Sequence, residues 1–489
     1  MRRVFWIMPV AWSLLGCASH RSLNVIRDAA AALGGKDRIM SVRTLTIDGS
    51  GTAMALGQNA APDGHLPVWK VTGFREAIDL TRGRMRLQQV RTAQFPSATE
   101  SVVRQNFAID GDTAWNIDAS GNASRVTERT AIERRVELLH YPLTILRAAF
   151  HPAARLSAFR HVGNFAVVDI ATASGDSLTL AIDSKTKLPV SVISTRDQAN
   201  LGDVDIETDF WDYENVDGLK LPGRITTKID KWLVSDIRVS KTTLNGAVEN
   251  LEAPAVIRAA LPPQENPPID ISAMPVRTGI WWLGGKGNGH SVVFEFADHL
   301  TVFEVPESEA RAKAVITKAR SLSFGKPLTE AIVSNHGFED SAGLRTAVAE
   351  GLTIITQRGN VAFFRELLTR SHTVAPDELA TGIPPQIKIT PVDDSLVLKD
   401  DSMELDLYHV KNDPQAETLL MGWVPRDHIL VQADLYDSGW LRFPFADILR
   451  DNLKLRNLNV ETDVPIHGEI ESYAEVLKRM QGTSLQASK

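Results

Sequence analysis

The apolar and polar positions divide the chain in two at a proline-rich break. Before the break, apolar residues recur at alternate positions in short runs: Thr44–Gly49, Met85–Thr92, Val103–Asp110, Phe165–Thr172, Ser177–Asp183 and Val190–Thr195. A period of two puts successive side chains on opposite faces, so these runs predict half-buried strands. Asp110-Gly111-Asp112, Asp217-Gly218 and Leu221-Pro222-Gly223 supply the turns. Leu23–Leu33 has helical spacing and stops at Gly34-Gly35, and Ala131–Phe150 has helical spacing throughout. Residues 23–258 are therefore expected to form a β-rich domain. Pro262-Pro263 and Pro267-Pro268 then stiffen a linker over residues 259–271.

After the linker, strand and helix patterns alternate. Trp281-Trp282, Val292–Phe296, Thr301–Val305, Ala331–Ser334 and Thr353–Thr356 read as strands, and Glu307–Arg320, Ser341–Glu350 and Asn360–Leu368 as helices. A second set of strands covers Lys388–Pro391, Ser395–Leu398, Glu404–Val410, Leu419–Val424 and Ile429–Gln432. Helices at Pro444–Leu453 and Glu471–Met480 close the pattern. The expected fold class is α+β, in two domains.

Composition changes this picture little. A chain of 489 residues has room for two or three domains, each with its own core. The net charge of −7 and pI near 6.0 argue against a general nucleic-acid binder. The N-terminus adds more. Arg2-Arg3 precede the apolar run Val4–Leu15, which is shorter than the roughly 20 residues a membrane span needs. Leu14-Leu15-Gly16-Cys17 resembles a bacterial lipobox, which implies a signal peptide over residues 1–17 and a lipid on Cys17. Ala18 in place of Asp fits sorting to the outer membrane, at its periplasmic face. Ordinary cleavage near Ala18, giving a periplasmic or secreted protein, is the alternative. Cys17 is the only cysteine, so no disulfide can form within the chain.

Residues Ser334–Leu344 read S-N-H-G-F-E-D-S-A-G-L. This stretch resembles the signature loop of the metallo-β-lactamase fold, T-H-x-H-x-D-H-S-G-G-L. Further pieces follow in the family's order: D-P-Q-A-E at Asp413–Glu417, I-L-V-Q-A-D-L-Y at Ile429–Tyr436 and V-P-I-H-G at Val464–Gly468. Upstream, Gly279–Pro306 resembles the strand pairs that open the fold, with Glu304 at an acidic position. The resemblance implies an αββα sandwich over residues 272–489. A-L-G-G-K-D-R-I at Ala32–Ile39 and V-D-G-L-K-L-P at Val216–Pro222 resemble a domain fused to a lipoprotein-like branch of this family. That domain is similar to the curved antiparallel sheets of periplasmic lipoprotein carriers.

On this resemblance, Asn335 and Gly337 stand in two histidine columns, Glu339 for an Asp, Asp340 for a His and Gln415 for another His, while Asp434 and His467 are kept. An intact site activates a bridging water between two zinc ions. Imidazole suits zinc, neutral amides do not, and glycine offers no side chain. One reading is a non-catalytic or impaired protein that binds a small molecule or a partner at the envelope. The other is a metal-dependent hydrolase of an ester, thioester, lactone or lactam. It would hold one zinc or other divalent ion on Glu339, Asp340, Asp434 and His467, with Glu339 or Asp340 as candidate general base. His336, His372 and His290 are candidates for the pocket rim. The glycine-rich Gly284–Gly289 lacks the ending of a phosphate loop and reads as a turn between strands.

Overall fold

The computed structural model describes residues 11–95, 101–287, 289–383, 385–439 and 443–486, with side chains from His20 to Gln481 within them. Cys17 lies in a helix, Ala11–Leu33, and its side chain falls outside the described part. No described helix is long and apolar enough to cross a membrane.

The first region is a 13-stranded sheet in which all neighbours are antiparallel. Its first strand, Thr44–Met54, lies between Val68–Asp79 and the last strand, Trp232–Leu244. The chain therefore meanders outward on one side to Ala123–Arg125, crosses through helices, and meanders back from Arg155–Val162. One core joins Leu45, Ile47, Ile78 and Met85 of the sheet to Ile26 and Leu33 of the first helix and to Leu143 and Leu146. The expected single helix over Ala131–Phe150 is two helices, Glu128–Glu137 and Pro142–Ala149. Pro142 restricts the residue before it to extended backbone, and Tyr141 sits at φ −146, ψ 146, which ends one helix and caps the next.

The second region holds two sheets. The seven-stranded sheet starts with antiparallel Ile271–Arg277, Ile280–Gly285, Ser291–Glu295 and Leu300–Phe303, and continues with parallel Leu328–Ile332, Thr353–Gln357 and Ile389–Val392. The six-stranded sheet runs antiparallel from Ser395–Lys399 through Glu404–His409 and Leu420–Val424 to Ile429–Gln432. Thr462–Pro465 then joins in parallel. One core unites Phe294, Phe303 and Ile355 of the first sheet with Leu405, Leu407 and Val431 of the second. Val293, Val302 and Ile354, which alternate with those, pack instead with Val315, Val348 and Phe364 of the helices Glu309–Arg320, Leu344–Ala349 and Val361–Thr369. A strand buried on both faces reads as a continuous apolar run, as Ser291–Glu295 and Leu300–Phe303 do.

Two expectations change here. The helix expected over Ser341–Glu350 is broken at Gly343, where a Cβ would lie 2.0 Å from the Val305 carbonyl oxygen. The backbones approach too closely there for any other residue. The last helix begins at Tyr473 because Glu471–Ser472 is spent as an edge strand.

The two regions share buried contacts. Leu201, Val204 and Ile229 of the N-terminal sheet belong to the same core as Leu283, Val293 and Val302. Asp203 accepts from the Thr373 amide at 2.9 Å, and its own amide donates to the Ser371 carbonyl at 2.8 Å. The proline-rich segment is tied down at Glu265, which accepts from the Arg129 amide at 2.8 Å.

Candidate functional site

The loops that carry the signature residues all leave strands at the same end. Glu304 follows Leu300–Phe303, and Ser334–Asp340 follow the parallel neighbour Leu328–Ile332. Asp434 follows Ile429–Gln432, and His467 follows its parallel neighbour Thr462–Pro465. Ligand sites of open sheets form at the carboxyl ends of parallel strands because the loops there diverge. Here two such ends meet, and the Leu420 amide donates to the Ser334 carbonyl across the join at 2.9 Å.

Two backbone irregularities mark the same place. Glu304 has φ 66 and Asp434 φ 62, in the left-handed region that costs a non-glycine residue about 1–2 kcal/mol. The strain aims both carboxyls inward. Glu304 is fully buried, and its Oε1 accepts from the Ser334 amide at 2.6 Å. Burial, with Asp340 nearby, pushes its carboxyl well above the usual range, and through the Ser334 amide it braces the signature loop.

Asn335 is the centre of the arrangement. Its Nδ2 donates to Asp434 Oδ2 at 3.0 Å, and its Oδ1 accepts from the Gly337 amide at 2.6 Å. The amide is thus committed on both sides. His467 Nε2 lies 3.7 Å from Asp434 Oδ1 and 3.9 Å from Asp340 Oδ1. Burial opposes charge on this imidazole, but Asp340 and Asp434 outweigh it and hold it up at about 10. Burial and Asp340 push Asp434 up to about 8. Burial likewise raises Glu339, against the pull of His467. Asp340 Oδ1 and Gln415 Oε1 are buried without a hydrogen bond among the described residues.

The residues do not fit a two-zinc centre. Gly337 has no donor atom, and the Asn335 oxygen is already used by the Gly337 amide. Among the described residues no group of three or more His, Cys, Asp or Glu side chains is placed to hold a metal ion, and these include the expected set of Glu339, Asp340, Asp434 and His467.

The three rim histidines separate. His290 packs against Trp282 at 4.1 Å between ring centres, and burial, Arg311 and His467 depress it to about 4. His336 is buried, with Nδ1 3.0 Å from Thr418 Oγ1 and Nε2 2.7 Å from the Asn59 carbonyl. His372 lies against the Leu201–Asp203 segment of the N-terminal sheet, where a Cβ on Gly202 would sit 2.6 Å from its ring. Its Nδ1 is 3.8 Å from Asp377 Oδ2.

Two contributors carried no signal in their own stretch of sequence. The loop between Thr44–Met54 and Val68–Asp79 reaches over from the N-terminal region. The Phe338 amide donates to the Gly57 carbonyl at 3.1 Å, and the Glu417 amide to the Ala60 carbonyl at 2.7 Å. Arg311, fully buried, donates to the Lys286 carbonyl at 2.8 Å and to the Gly289 carbonyl. It pins the glycine-rich turn, which pairs with His467 through Gly289.

No protein-family model and no curated protein matches the chain. Several solved structures are similar to part of it. The metallo-β-lactamase TMB-1 is 15% identical over 45% of this chain and 99% of its own, with a TM-score of 0.34. A metallo-β-lactamase from Pontibacter korlensis is 11% identical over 44% and 99%, with a TM-score of 0.34. The flavodiiron core of Flv1 from Synechocystis sp. PCC6803 is 17% identical over 45% and 62%, with a TM-score of 0.36.

Proposed function

We propose that residues 272–489 form an αββα sandwich of the metallo-β-lactamase type in which hydrogen bonds within the protein replace the metal centre. In this reading the chain is a binding protein of the bacterial envelope and not a hydrolase. The Asn335 amide carries the argument. A carboxylate in the Asp434 position, only 16% exposed, gains from a cation, a proton or a hydrogen-bond donor. Asn335 supplies the donor at 3.0 Å and His467 the positive charge at 3.7 Å, so no metal is needed to hold Asp434 in place.

Elemental analysis of the purified, dialysed protein tests this. The expected result is less than one zinc ion per chain and an unfolding midpoint that neither EDTA nor added zinc moves. Two zinc ions per chain would overturn the reading. The second reading, a hydrolase with one divalent ion, draws support from Asp340 Oδ1 and Gln415 Oε1, which are buried without a hydrogen bond among the described residues. One ion per chain that is lost in Asp434→Ala, together with ester or lactam hydrolysis lost in the same variant, would favour it.

The envelope location rests on the lipobox resemblance at Leu14–Cys17. Mass spectrometry of the membrane fraction should find an acylated Cys17 as the mature N-terminus. A mature N-terminus beyond Cys17 would remove the lipid anchor from the proposal.

A further inference from the structure

The face of the 13-stranded sheet that carries the first helices is not a continuous dry core. Beneath Glu128–Glu137 it opens into a cavity of about 720 Å³. That volume lies within the range of about 300–1,000 Å³ for small-molecule sites. Period two places Phe74 and Glu76 on this face of one strand and Leu87, Gln89 and Arg91 on the same face of the next. Ser194 and Arg196 follow on a third strand, and Ile225, Thr227 and Ile229 on a fourth. The wall is therefore apolar but repeatedly interrupted by polar and charged groups.

Two acids of the wall are left without a direct partner. Neither Glu76 nor Glu137 forms a side-chain hydrogen bond or an ion pair among the described residues, although both line the cavity. The guanidiniums of Arg196, Arg134 and Arg91 act on Glu137, whereas Glu76 has no cation acting on it and is driven up to about 8 by burial and by Glu137. Beside Glu76 stands Tyr141. It is 4% exposed and lines the cavity, and its hydroxyl makes no well-formed hydrogen bond among the described residues, although Thr242 is close enough to act on it. A buried hydroxyl left without a partner costs about 1–3 kcal/mol, so the pair is arranged for something that enters. The rim is half-open, with Ile132 48% and Val374 51% exposed, beside the 2.8 Å ion pair of Arg129 and Asp197.

We propose that this cavity is a binding site for an amphipathic amine, with the apolar body against Phe74, Ile225 and Ile237 and the ammonium group on the Glu76 carboxylate and the Tyr141 hydroxyl. An ammonium brings three donors and a charge, which is what an unpaired carboxylate beside an unpaired hydroxyl lacks. A fatty acid in the same pose would set its own carboxylate against Glu76, with Arg196 and Arg91 already facing Glu137, and a bare hydrocarbon would leave both polar groups unsatisfied. The site stands apart from the signature loop and does not depend on whether that loop holds a metal.

Calorimetric titration of the full chain with dodecylamine, dodecanoic acid and dodecanol, each below its micelle-forming concentration, tests the proposal. Dodecylamine should bind at least tenfold more tightly than dodecanoic acid. Glu76→Gln should weaken the amine at least tenfold and leave dodecanol unchanged, and Tyr141→Phe should weaken the amine about threefold. Equal binding of all three probes, tighter binding of dodecanoic acid, amine binding indifferent to Glu76→Gln, or no binding of dodecylamine would each overturn it. The Tyr141→Phe variant keeps the ring and its contact with Phe210, so it reads the hydroxyl alone.

Discussion

At the candidate site Asp434 receives the Asn335 amide at 3.0 Å and faces His467 at 3.7 Å, whereas in the N-terminal cavity Glu76 receives no hydrogen bond from any described residue. Both carboxyls are pushed up to about 8, and burial is the largest cause for each. The surroundings differ. Around Asp434 the chain has supplied its own donor and its own cation. Around Glu76 it has kept a volume of about 720 Å³ open and left a neighbouring hydroxyl idle. A shifted carboxyl alone therefore does not distinguish a filled site from a waiting one. The hydrogen-bond partners and the space beside it do.

One loop joins the two places, and breaking it should have the largest effect. Leu56 lines the cavity, and the Gly57 carbonyl holds the Phe338 amide at 3.1 Å. Gly57 has φ +82, and a Cβ there would lie 2.2 Å from the Phe338 ring. Alanine would add a left-handed penalty of about 1–2 kcal/mol to overpacking of about 1–3 kcal/mol. Gly57→Ala should thus cost more than ~2 kcal/mol in urea unfolding and speed amide exchange at Phe338 and Glu417. An unfolding midpoint equal to that of the unaltered protein would mean that the loop does not couple the two regions.

Asn335→Leu comes next. It removes the donor to Asp434 Oδ2 and the acceptor of the Gly337 amide. Leaving buried partners unsatisfied costs about 1–3 kcal/mol. If zinc restored the lost stability in this variant but not in the unaltered protein, Asn335 would be the group that stands in for a metal. A variant as stable as the parent would show that Asp434 does not need the amide, and the contrast with Glu76 would weaken.

The strand-rich first part and the βα order of the second were open to reading because apolar period is a local signal. The order of Asn335, Asp434 and His467 was equally open as an ordered set of motifs. What Asn335 does with its amide was not, since both partners reach it through the fold, one of them 99 positions away. Asn59 and Gly57 contribute to the signature loop from the N-terminal region, and Asn59 reaches His336 over 277 positions. The broken helix at Tyr141-Pro142 could have been found from the proline alone. The apolar spacing of Ala131–Phe150 masked it.

The smallest expected effect is the one that separates the two acids most cleanly. Glu76 has a folded-state pKa near 8 against an ordinary 4.5. The folded protein therefore binds this proton more tightly than the unfolded chain does. The linked stability is fully present below pH 4.5 and is lost as the pH rises through 8. Glu76→Gln removes that loss. Each tenfold difference in proton affinity between folded and unfolded chain is worth about 1.4 kcal/mol. Glu76 faces a cavity that water can enter, however, so screening reduces the gain to about 1 kcal/mol. Urea midpoints should then coincide near pH 5, with the variant ahead of its parent at pH 9. Asp434→Asn should gain less, although its carboxyl is raised as well. It discards the charge that faces His467, an imidazolium held at about 10, and leaves it to Asp340. Two carboxyls with the same elevation should therefore answer the same substitution with the same sign at alkaline pH but with unequal gains, the larger at Glu76. If Glu76→Gln fell behind its parent at pH 9, Glu76 would have a partner in the folded protein, and the cavity would be as self-satisfied as the candidate site.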